Sequence, residues 1–355
     1  MREDEYRKRL ASALIDPSAT INQAIERLEQ AGTQALLLAS GDRRLRGLLV
    51  DGDVRRALIR GVSFDQPCSS IATKEPICIA EGTPAAEALQ IMNKNDINHL
   101  PVVDAAGDLT GLLLRRDLSG EHRLDVSAII MAGGFGTRLR PLTDQLPKPM
   151  LPVGDRPLLE RTIERLRDAG IRRVNVTTHY LAEQITRHFG DGGSMGVEIR
   201  YVPEEQPLGT GGGLKLIDAP AEPFLVINGD ILCGINYRDL VSFHRKSGAE
   251  ATVCVRKYDM QVPYGVVECE GMWLRAMREK PLVSVFVNAG IYLIEPALQR
   301  YIPEGRRSDM TDLINLLVAN GHRVATFPIV EYWLDVGQPE DYARAQRDVK
   351  AEKIR

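Results

Sequence analysis

Residues 127–152 read Ser-Ala-Ile-Ile-Met-Ala-Gly-Gly-Phe-Gly-Thr-Arg-Leu-Arg-Pro-Leu-Thr-Asp-Gln-Leu-Pro-Lys-Pro-Met-Leu-Pro. The short apolar run at 127–131 predicts a buried strand. The glycines that follow allow the backbone to bring its N–H groups against a ligand without an intervening Cβ. Arg138 and Lys148 add positive charge nearby. The stretch therefore predicts a loop that holds a nucleoside triphosphate; the alternative is a tight strand-to-helix turn.

The glycine loop matches neither of the better-known phosphate loops, because it lacks both the Gly-Lys-Ser/Thr of a P-loop and the third glycine of a dinucleotide fingerprint. The run Gly-Gly-x-Gly-Thr-Arg-Leu-x-Pro-Leu-Thr, closed by Pro-Lys-Pro-x-Leu-Pro, closely resembles the signature of the sugar-1-phosphate nucleotidylyltransferases. The resemblance implies that Arg138 and Lys148 are catalytic. It also implies a nucleotide-binding loop formed by Ala132, Gly133, Gly134, Gly136 and Thr137.

Composition narrows the class of protein. The chain has 355 residues, 44% of them hydrophobic, which is enough for a sizeable core and more than one domain. Its 45 basic and 48 acidic residues are mixed along the chain, so we expect no face that binds nucleic acid. The five cysteines lack Cys-x-x-Cys spacing, which argues against a disulfide framework and a zinc site. Because no signal peptide or long apolar run is evident, we expect a cytoplasmic protein without membrane association.

The first third of the sequence is an internal repeat. Segments 15–58 and 79–118 share an apolar start, an amphipathic helix, an apolar strand, a Gly-Leu-Leu and an Asp that opens another helix. The run His-Leu-Pro-Val-Val-Asp at 99–104 resembles a cystathionine-β-synthase-type (CBS) repeat. Two such repeats normally pack as one module. We therefore predict tandem CBS repeats over residues 1–120 (about 10–64 and 70–120) and a linker at 121–126.

The CBS resemblance implies an adenine-nucleotide site in which Asp53 and Asp117 hold the ribose hydroxyls. Both residues also stand where a helix cap is expected. The Ser or Thr that the family places three residues after the glycine is Val50 in one repeat and Leu114 in the other. Two interpretations stay open: regulatory nucleotide binding, and a structural role in which the CBS modules join copies of the chain into a homo-oligomer.

Residues 127–355 alternate strand patterns with helical patterns. This alternation predicts an α/β, Rossmann-like, mostly parallel sheet with helices on both faces, preceded by the α+β CBS-pair module. We predict strands at 127–131, 173–177, 224–228 and 287–293. We predict helices at 157–168, 181–189, 237–246, 311–320 and 339–352. Ligands of such sheets gather beyond the carboxyl ends of the strands, where the glycine loop also lies.

Two acidic residues follow apolar segments in this region. Asp230 ends Phe-Leu-Val-Ile-Asn-Gly-Asp at 224–230, and Asp335 lies in Trp-Leu-Asp-Val-Gly-Gln-Pro-Glu-Asp at 333–341. Mg²⁺ is bound in proteins by one or two carboxylates together with phosphate oxygens. Considered alone, Asp335 fits better as the cap of a helix that begins near Pro339. Both segments resemble metal-binding elements of the family, which implies a Mg²⁺ site at Asp230 and Asp335, with Asp230 also catalytic.

Other segments resemble further elements of the same family. The run Pro-Leu-Gly-Thr-Gly-Gly at 207–212 resembles its second nucleotide-contacting loop, which implies Gly209, Thr210 and Gly211. Tyr-Gly at 264–265, Glu-Lys-Pro at 279–281 and Asn-Ala-Gly at 288–290 resemble its sugar-phosphate side, which implies Gly265, Glu279, Lys280 and Asn288. Without the resemblance, Glu-Lys would be a solvated surface pair. His179 stands where a helix begins, and we interpret it as structural.

The family resemblance implies transfer of a nucleoside monophosphate from an NTP to a sugar-1-phosphate. A CBS pair ahead of such a domain resembles the guanylyltransferases of legionaminic acid synthesis, which implies GTP and glucosamine-1-phosphate. The absence of hexapeptide repeats argues against acyltransferase-fused uridylyltransferases and adenylyl enzymes with a β-helix tail. The alternatives are mannose- or heptose-1-phosphate guanylyl transfer and glucose-1-phosphate thymidylyl transfer. An alternative of another class is a catalytically dead nucleotide sensor, against which the intact charged residues argue.

Overall fold

The structure of the protein, a computed structural model, describes residues 9–41, 43–118, 123–218 and 220–354. The chain divides into two compact units, residues 1–122 and 123–355. The predicted linker lies partly outside the described residues; its described part, 123–126, belongs to the second unit. None of the described helices is both long enough and apolar enough to cross a membrane.

The first unit contains two similar sheets, one in each repeat. The first repeat consists of β1 (Leu14–Ile15), α1 (Ile21–Ala31), β2 (Ala35–Ala39), β3 (Leu45–Val50) and α2 (Asp51–Ile59). The second consists of β4 (Ile79–Ala80), α3 (Ala85–Asn95), β5 (His99–Val103), β6 (Leu109–Leu114) and α4 (Arg115–Leu118). In each sheet the first pair of strands is parallel and the second pair is antiparallel. The predicted repeat and its α+β character are confirmed.

The two repeats share a core because their second and third strands are almost entirely apolar. The residues that form this core come from both repeats: Ala13, Ala35, Leu37, Ala39, Leu109, Leu112 and Leu114. The ring of His99 also bridges the repeats, with Nε2 lying 3.1 Å from the carbonyl oxygen of Thr33. Burial lowers the pKa of His99 to about 4, so the bridging ring is neutral at physiological pH.

The second unit is built around a seven-stranded sheet. Its strands are β7 (Ser127–Met131), β10 (Arg173–Thr178), β11 (Glu198–Pro203), β12 (Phe224–Asn228), β14 (Ala251–Gln261), β17 (Leu282–Ile294) and β18 (Val324–Ile329). Their order across the sheet is β11-β10-β7-β12-β17-β14-β18. In this sheet β17 alone runs against the other strands. The short strands are β8 (Pro152–Val153), β9 (Arg156–Pro157), β13 (Ile231–Cys233), β15 (Val266–Glu270), β16 (Trp273–Arg278) and β19 (Trp333–Asp335).

Helices cover both faces of this sheet. The helices of this unit are α5 (Leu158–Asp168), α6 (Ala182–Phe189), α7 (Gly209–Gly212), α8 (Tyr237–Ser247), α9 (Met310–Ala319) and α10 (Pro339–Lys350). Successive residues of β7 point to opposite sides, so Ala128 and Ile130 pack in one core and Ile129 in the other. The first core is closed by α5, α6 and α8, and the second by α9. The predicted mostly parallel sheet with helices on both faces is confirmed.

The structure adds strands that the sequence pattern did not predict. β11, β14 and β18 belong to the main sheet, while β15 and β16 form a separate antiparallel ribbon. The predicted strand at 287–293 is the inner half of β17, which begins at Leu282. The outer half of β17 and the ribbon are largely exposed, so they lack the buried apolar pattern by which a core strand is recognised.

Candidate active site

A cavity of about 550 Å³ opens at the carboxyl ends of the parallel strands. Strands β7, β10 and β12 all end at this edge, so the loops that follow them form its walls. Its lining includes most of the residues predicted to bind the nucleotide or to act in catalysis: Ala132, Gly133, Gly134, Gly136, Thr137, Arg138, Lys148, Gly209, Thr210 and Asp230. The structure thus brings together side chains that lie about 100 positions apart in the sequence.

The glycine loop is held tightly at its base and is open where it faces the cavity. The Ala132 N–H donates to the Thr177 hydroxyl at 3.2 Å, which fixes the start of the loop. Gly136 has a φ of 64°, and a Cβ at this position would lie 2.9 Å from the Thr143 methyl group. At Gly134, by contrast, a Cβ would have no protein atom within 4 Å. Gly136 is therefore needed for packing, whereas Gly134 leaves space for a ligand.

Lys148 and Asp230 form an ion pair at the floor of the cavity. The Lys148 Nζ donates to Asp230 Oδ2 at 2.6 Å. The side chains are only 11% and 23% exposed, so both charges are largely removed from bulk water. Arg138 lies on the next wall in a single 3₁₀ turn, Thr137–Leu139. Its guanidinium is exposed and has no ion-pair partner within the described part of the chain.

A second carboxylate lies close to this pair. The short strands β13 and β19 are antiparallel and place Asp335 opposite Ile231, next to Asp230. The Val336 N–H donates to the Asp230 carbonyl oxygen at 2.9 Å, which fixes this corner. Asp335 has accessible surface, yet desolvation by the surrounding protein raises its pKa, and the Asp230 charge raises it further; Lys148 and Arg138 act in the opposite direction.

These two carboxylates fit one side of a divalent-metal site. Two like charges near each other are costly without a cation, and the Asp230 charge adds to the desolvation that raises the pKa of Asp335. Across the described ranges, no three His, Cys, Asp or Glu side chains converge closely enough to hold a metal ion by themselves. The donor set therefore suits an ion of the Mg²⁺ type, which takes few protein ligands and completes its shell with phosphate oxygens and water.

The second predicted loop is fixed by the segment before α9. The Thr210 N–H donates to Asp309 Oδ1 at 3.0 Å, and the Gly211 N–H donates to the Ser308 carbonyl oxygen at 2.8 Å. Thr210 in turn accepts the Met310 N–H at 3.0 Å through its hydroxyl. The loop and the start of α9 therefore form one rigid wall of the cavity.

The cavity also has lining residues that the sequence did not single out, namely Thr177, Glu204, Asn228, Arg307 and Asp309. Glu204 follows β11, a strand whose alternating charged residues gave no core signal. Glu204 follows its strand much as Asp230 follows β12, but the sequence pattern did not predict β11, so this position gave no signal. Arg307 and Asp309 precede α9, and Asp309 is the N-cap residue of this helix.

The predicted sugar-phosphate residues lie outside the lining of this cavity. Gly265 and Glu279 adjoin each other, since a Cβ at Gly265 would lie 3.2 Å from Glu279 Oε2. Lys280 has a φ of 43°, a left-handed conformation that is uncommon for a residue with a side chain. The Asn288 amide donates to the Tyr292 hydroxyl at 2.6 Å. Their contact with a sugar phosphate remains a prediction.

In the first unit, each predicted ligand aspartate is the third residue of a helix and caps the N–H of the residue that precedes this helix. Asp53 Oδ2 accepts the Val50 N–H at 2.9 Å and the residue pairs with Arg56. Burial raises the pKa of Asp53. Asp117 Oδ2 accepts the Leu114 N–H at 3.1 Å, and Asp117 pairs with Arg9. These hydrogen bonds support the structural interpretation of Asp53 and Asp117, whereas nucleotide binding by these residues stays a prediction.

Several known proteins are similar to this chain. It is 37% identical over 223 residues to the mannose-1-phosphate guanylyltransferase catalytic subunit beta of Drosophila pseudoobscura pseudoobscura, covering 61% of this chain and 60% of that protein. It is 35% identical over 237 residues to the mannose-1-phosphate guanylyltransferase of Mycobacterium tuberculosis (strain ATCC 25618 / H37Rv), covering 64% and 65%. The chain therefore spans less than two thirds of the length of these curated relatives.

Two solved structures resemble it as well. A putative glucose-1-phosphate thymidylyltransferase from Bacillus anthracis, in complex with a sucrose, has a TM-score of 0.54 at 25% identity and covers 65% of this chain and 96% of that one. HddC from Yersinia pseudotuberculosis, complexed with GMP-PN, has a TM-score of 0.50 at 26% identity and covers 63% and 99%.

Family models match nearly the whole chain. The CBS domain model matches residues 12–60 and 68–121. The nucleotidyl transferase model matches residues 127–352, which is more than half of the chain and includes every side chain that lines the cavity. The chain accordingly belongs to the nucleotidyl transferase family and carries a pair of CBS domains ahead of the nucleotidyl transferase domain.

Proposed function

We propose that this protein is a sugar-1-phosphate guanylyltransferase, which transfers GMP from GTP to a sugar-1-phosphate and releases pyrophosphate. The observation that carries the proposal is the meeting of the Lys148–Asp230 ion pair and the open glycine loop at one cavity, with Asp335 close to Asp230. Cations for a triphosphate, backbone N–H groups and two acidic residues are the parts that nucleotidyl transfer requires.

The reaction does not require the protein to transfer a proton. An oxygen of the sugar-1-phosphate attacks the α-phosphorus of the nucleotide, and the bond from that phosphorus to the β-phosphate oxygen breaks. Because the attacking oxygen is already anionic, no general base is needed. The protein must align the two anions and neutralise the charge that accumulates between them. Arg138 is free to bind the triphosphate, and Lys148 lies where the reacting phosphate would be placed.

Enzymes of this family generally use a divalent metal ion, and we propose Mg²⁺ held by Asp230 and Asp335. When bound, the ion supplies positive charge to the phosphate oxygens and helps to orient them. Lys148 then has a second task, because its ammonium group holds the Asp230 carboxylate in one position. The ion pair therefore fixes the position of the Asp230 carboxylate before a nucleotide binds.

The guanine base and the acceptor sugar are inferred from two sources. The named relatives are mannose-1-phosphate guanylyltransferases, and a similar structure is complexed with GMP-PN. The CBS pair ahead of the domain resembles guanylyltransferases that act on an amino-sugar phosphate, which favours glucosamine-1-phosphate. Mannose-1-phosphate is the second acceptor to test. For the CBS pair we propose a structural role in assembly, since Asp53 and Asp117 are engaged as caps.

The test is pyrophosphate release from each of GTP, ATP, UTP and dTTP, combined with glucosamine-1-phosphate, mannose-1-phosphate or glucose-1-phosphate, with Mg²⁺ present. We expect GTP to be the preferred nucleotide and one of the first two sugars the preferred acceptor. Release that needs both substrates distinguishes transfer from simple hydrolysis. No release in any combination would instead support the catalytically dead nucleotide sensor.

A further inference from the structure

Residues 258–286 form an arm that lies beyond the parts of β14 and β17 that pair with β18 and β12. The arm consists of the outer ends of β14 and β17 together with the ribbon of β15 and β16. Nineteen large hydrophobic side chains are exposed within the described part of the chain, and twelve of them lie in this arm. The exposed apolar surface of the chain is therefore concentrated in one short segment.

The register of β14 and β17 separates a polar face of the arm from an apolar face. Tyr258 lies opposite Val285, and Met260 lies opposite Val283. Residues directly opposite each other share a face, so these four side chains form one apolar stripe, in which each is 38% to 53% exposed. Asn288, which is predicted to contact the sugar phosphate, lies three positions after Val285 on the same strand and so belongs to the other face. A bound sugar phosphate would therefore leave the apolar stripe uncovered.

The ribbon has an apolar face of its own. Met277 lies opposite Val267, and Leu274 lies opposite Cys269. Along β15 these residues alternate with two glutamates, whose side chains point to the other face. Val267, Leu274 and Met277 are 46%, 57% and 64% exposed, and Cys269 is exposed as well. Because a two-stranded ribbon is marginally stable in water unless it packs against something, this face needs a cover.

The aromatic side chains of the arm show how large the cover must be. Tyr258, Tyr264, Trp273 and Phe286 are 53%, 75%, 72% and 49% exposed. Since one aromatic side chain offers about 150–250 Å², these four together expose roughly 400–600 Å². The largest apolar patch of a typical monomer is about 300–600 Å². With the eight other large hydrophobic side chains of the arm, the surface reaches the scale of the about 800 Å² that each partner contributes to a stable interface.

The charges of the ribbon favour a second copy of the chain as the cover. Glu268 pairs with Arg278, and Glu270 pairs with Arg275. These two acidic and two basic residues cancel, so a nucleic acid or an anionic membrane would gain no net attraction. A second copy presents the same neutral, apolar surface, and a two-fold interface places such a surface against itself. Interfaces of this kind are also the most apolar ones.

We propose that the arm is a self-association surface, in which the apolar faces of residues 258–286 in one copy cover those of a second copy. The surface belongs to the second unit, so it is additional to assembly through the CBS pair. It does not depend on which nucleotide or sugar the protein uses.

The experiment uses Cys269 as a native reporter in the full-length protein. Iodoacetamide labelling of Cys269 is followed by peptide mass spectrometry, which resolves it from Cys78, and light scattering gives the number of chains per particle. The wild type is compared with Met260→Glu/Met277→Glu, whose two sites are half exposed or more and are therefore expected to accept a charge without unfolding. Circular dichroism checks the fold. Leu316→Glu/Val318→Glu, at two exposed apolar positions of α9, is the matched control.

We expect Cys269 of the wild type and of the control to be shielded. At a protein concentration of about ten times the dissociation constant, labelling should be roughly tenfold slower than in the arm variant. The arm variant should also have fewer chains per particle. Loss of shielding with an unchanged number of chains supports the proposal too, because the CBS pair would then still join the copies.

Two results would overturn the proposal. One is a wild type that consists of single chains, because a shielded Cys269 would then be covered by another segment of its own chain. The other is a Cys269 that reacts equally fast in the wild type and in the arm variant. The second result needs no interpretation of particle size. If the arm variant fails to fold, dilution of the wild type alone decides, since shielding by a second copy is lost below the dissociation constant and intramolecular shielding is not.

Discussion

Lys148 is the residue on which the chemistry depends most directly. Its ammonium is largely buried and pairs with Asp230 at 2.6 Å, so its removal would leave an uncompensated carboxylate in the cavity and take away a cation next to the phosphates. We expect Lys148→Ala to lower turnover by about 10²-fold or more, comparable to the loss of one electrostatic donor. Pyrophosphate release at saturating substrates measures this, and Lys350→Ala, an exposed lysine in α10, is the matched control. Equal rates for the two variants would remove Lys148 from the site.

Asp335 should show a trade-off between activity and stability. Its raised pKa means that the native state binds the proton of the Asp335 carboxyl group more tightly than the unfolded state does. Ionisation of Asp335 therefore lowers the free energy of unfolding as the pH rises through the folded pKa. We therefore expect Asp335→Asn to lose most turnover and yet to melt at a higher temperature than wild type at pH 7 in metal-free buffer. The gain should disappear below the ordinary pKa of 3.8, where both states are protonated. A lower melting temperature at pH 7 would contradict this account.

The motifs that surround Arg138, Lys148 and Asp230 allowed these residues to be predicted from the sequence, and their roles stay predictions. Arg138, Lys148 and Asp230 lie in long runs typical of the family, and the structure places all three at one cavity. Glu204 has no such context, because a glutamate between Pro203 and Glu205 reads as a solvated loop residue. Its side chain lies against Gly133, which is some 70 positions earlier in the chain. Contacts of that range are not visible in a local pattern.

At the scale of elements, two glycines of the glycine loop are needed for different reasons: Gly136 for packing within the protein, and Gly134 for space in which the nucleotide can bind. Gly136→Ala introduces a Cβ at a φ of 64° and 2.9 Å from Thr143, so we expect a lower melting temperature together with weak activity. Gly134→Ala meets no protein atom within 4 Å, so we expect a melting temperature close to wild type but a raised KM for the nucleotide. Thermal unfolding and KM measured on the same preparations check both. A Gly134→Ala protein with wild-type KM would show that the phosphates do not contact this glycine.

The buried elements were also the predictable ones. The predicted strands at 127–131 and 224–228 match β7 and β12, since both are buried on two faces and read as short apolar runs. The helix predicted at 157–168 begins one residue later, because Pro157 is its N-cap. The ribbon of β15 and β16 exposes Trp273 and Met277 and has no buried face. Its pairing depends on the turn between its strands, so periodicity could not reveal it.

At the scale of the whole molecule, chemistry and assembly are expected to lie in different units. Every group proposed to act in the reaction belongs to residues 123–355, which form a compact unit. We expect a shortened protein that begins near Glu121 to keep kcat within a few-fold of the full chain. If the CBS pair joins copies of the chain, light scattering should show fewer chains per particle for the shortened protein than for the full chain. A folded but inactive shortened protein would show that the CBS pair helps to complete the site.

The central claim is that residues 123–355 catalyse transfer of a nucleotidyl group between two phosphates by means of Lys148, Asp230 and Asp335. Its most direct test is mass-spectrometric detection of the nucleotide sugar, alongside pyrophosphate, from GTP and a sugar-1-phosphate with wild type and Asp230→Asn. We predict equal amounts of the two products from wild type, and a rate for the folded Asp230→Asn lower by about 10²-fold or more. Pyrophosphate without nucleotide sugar, or an undiminished rate in Asp230→Asn, would contradict the claim.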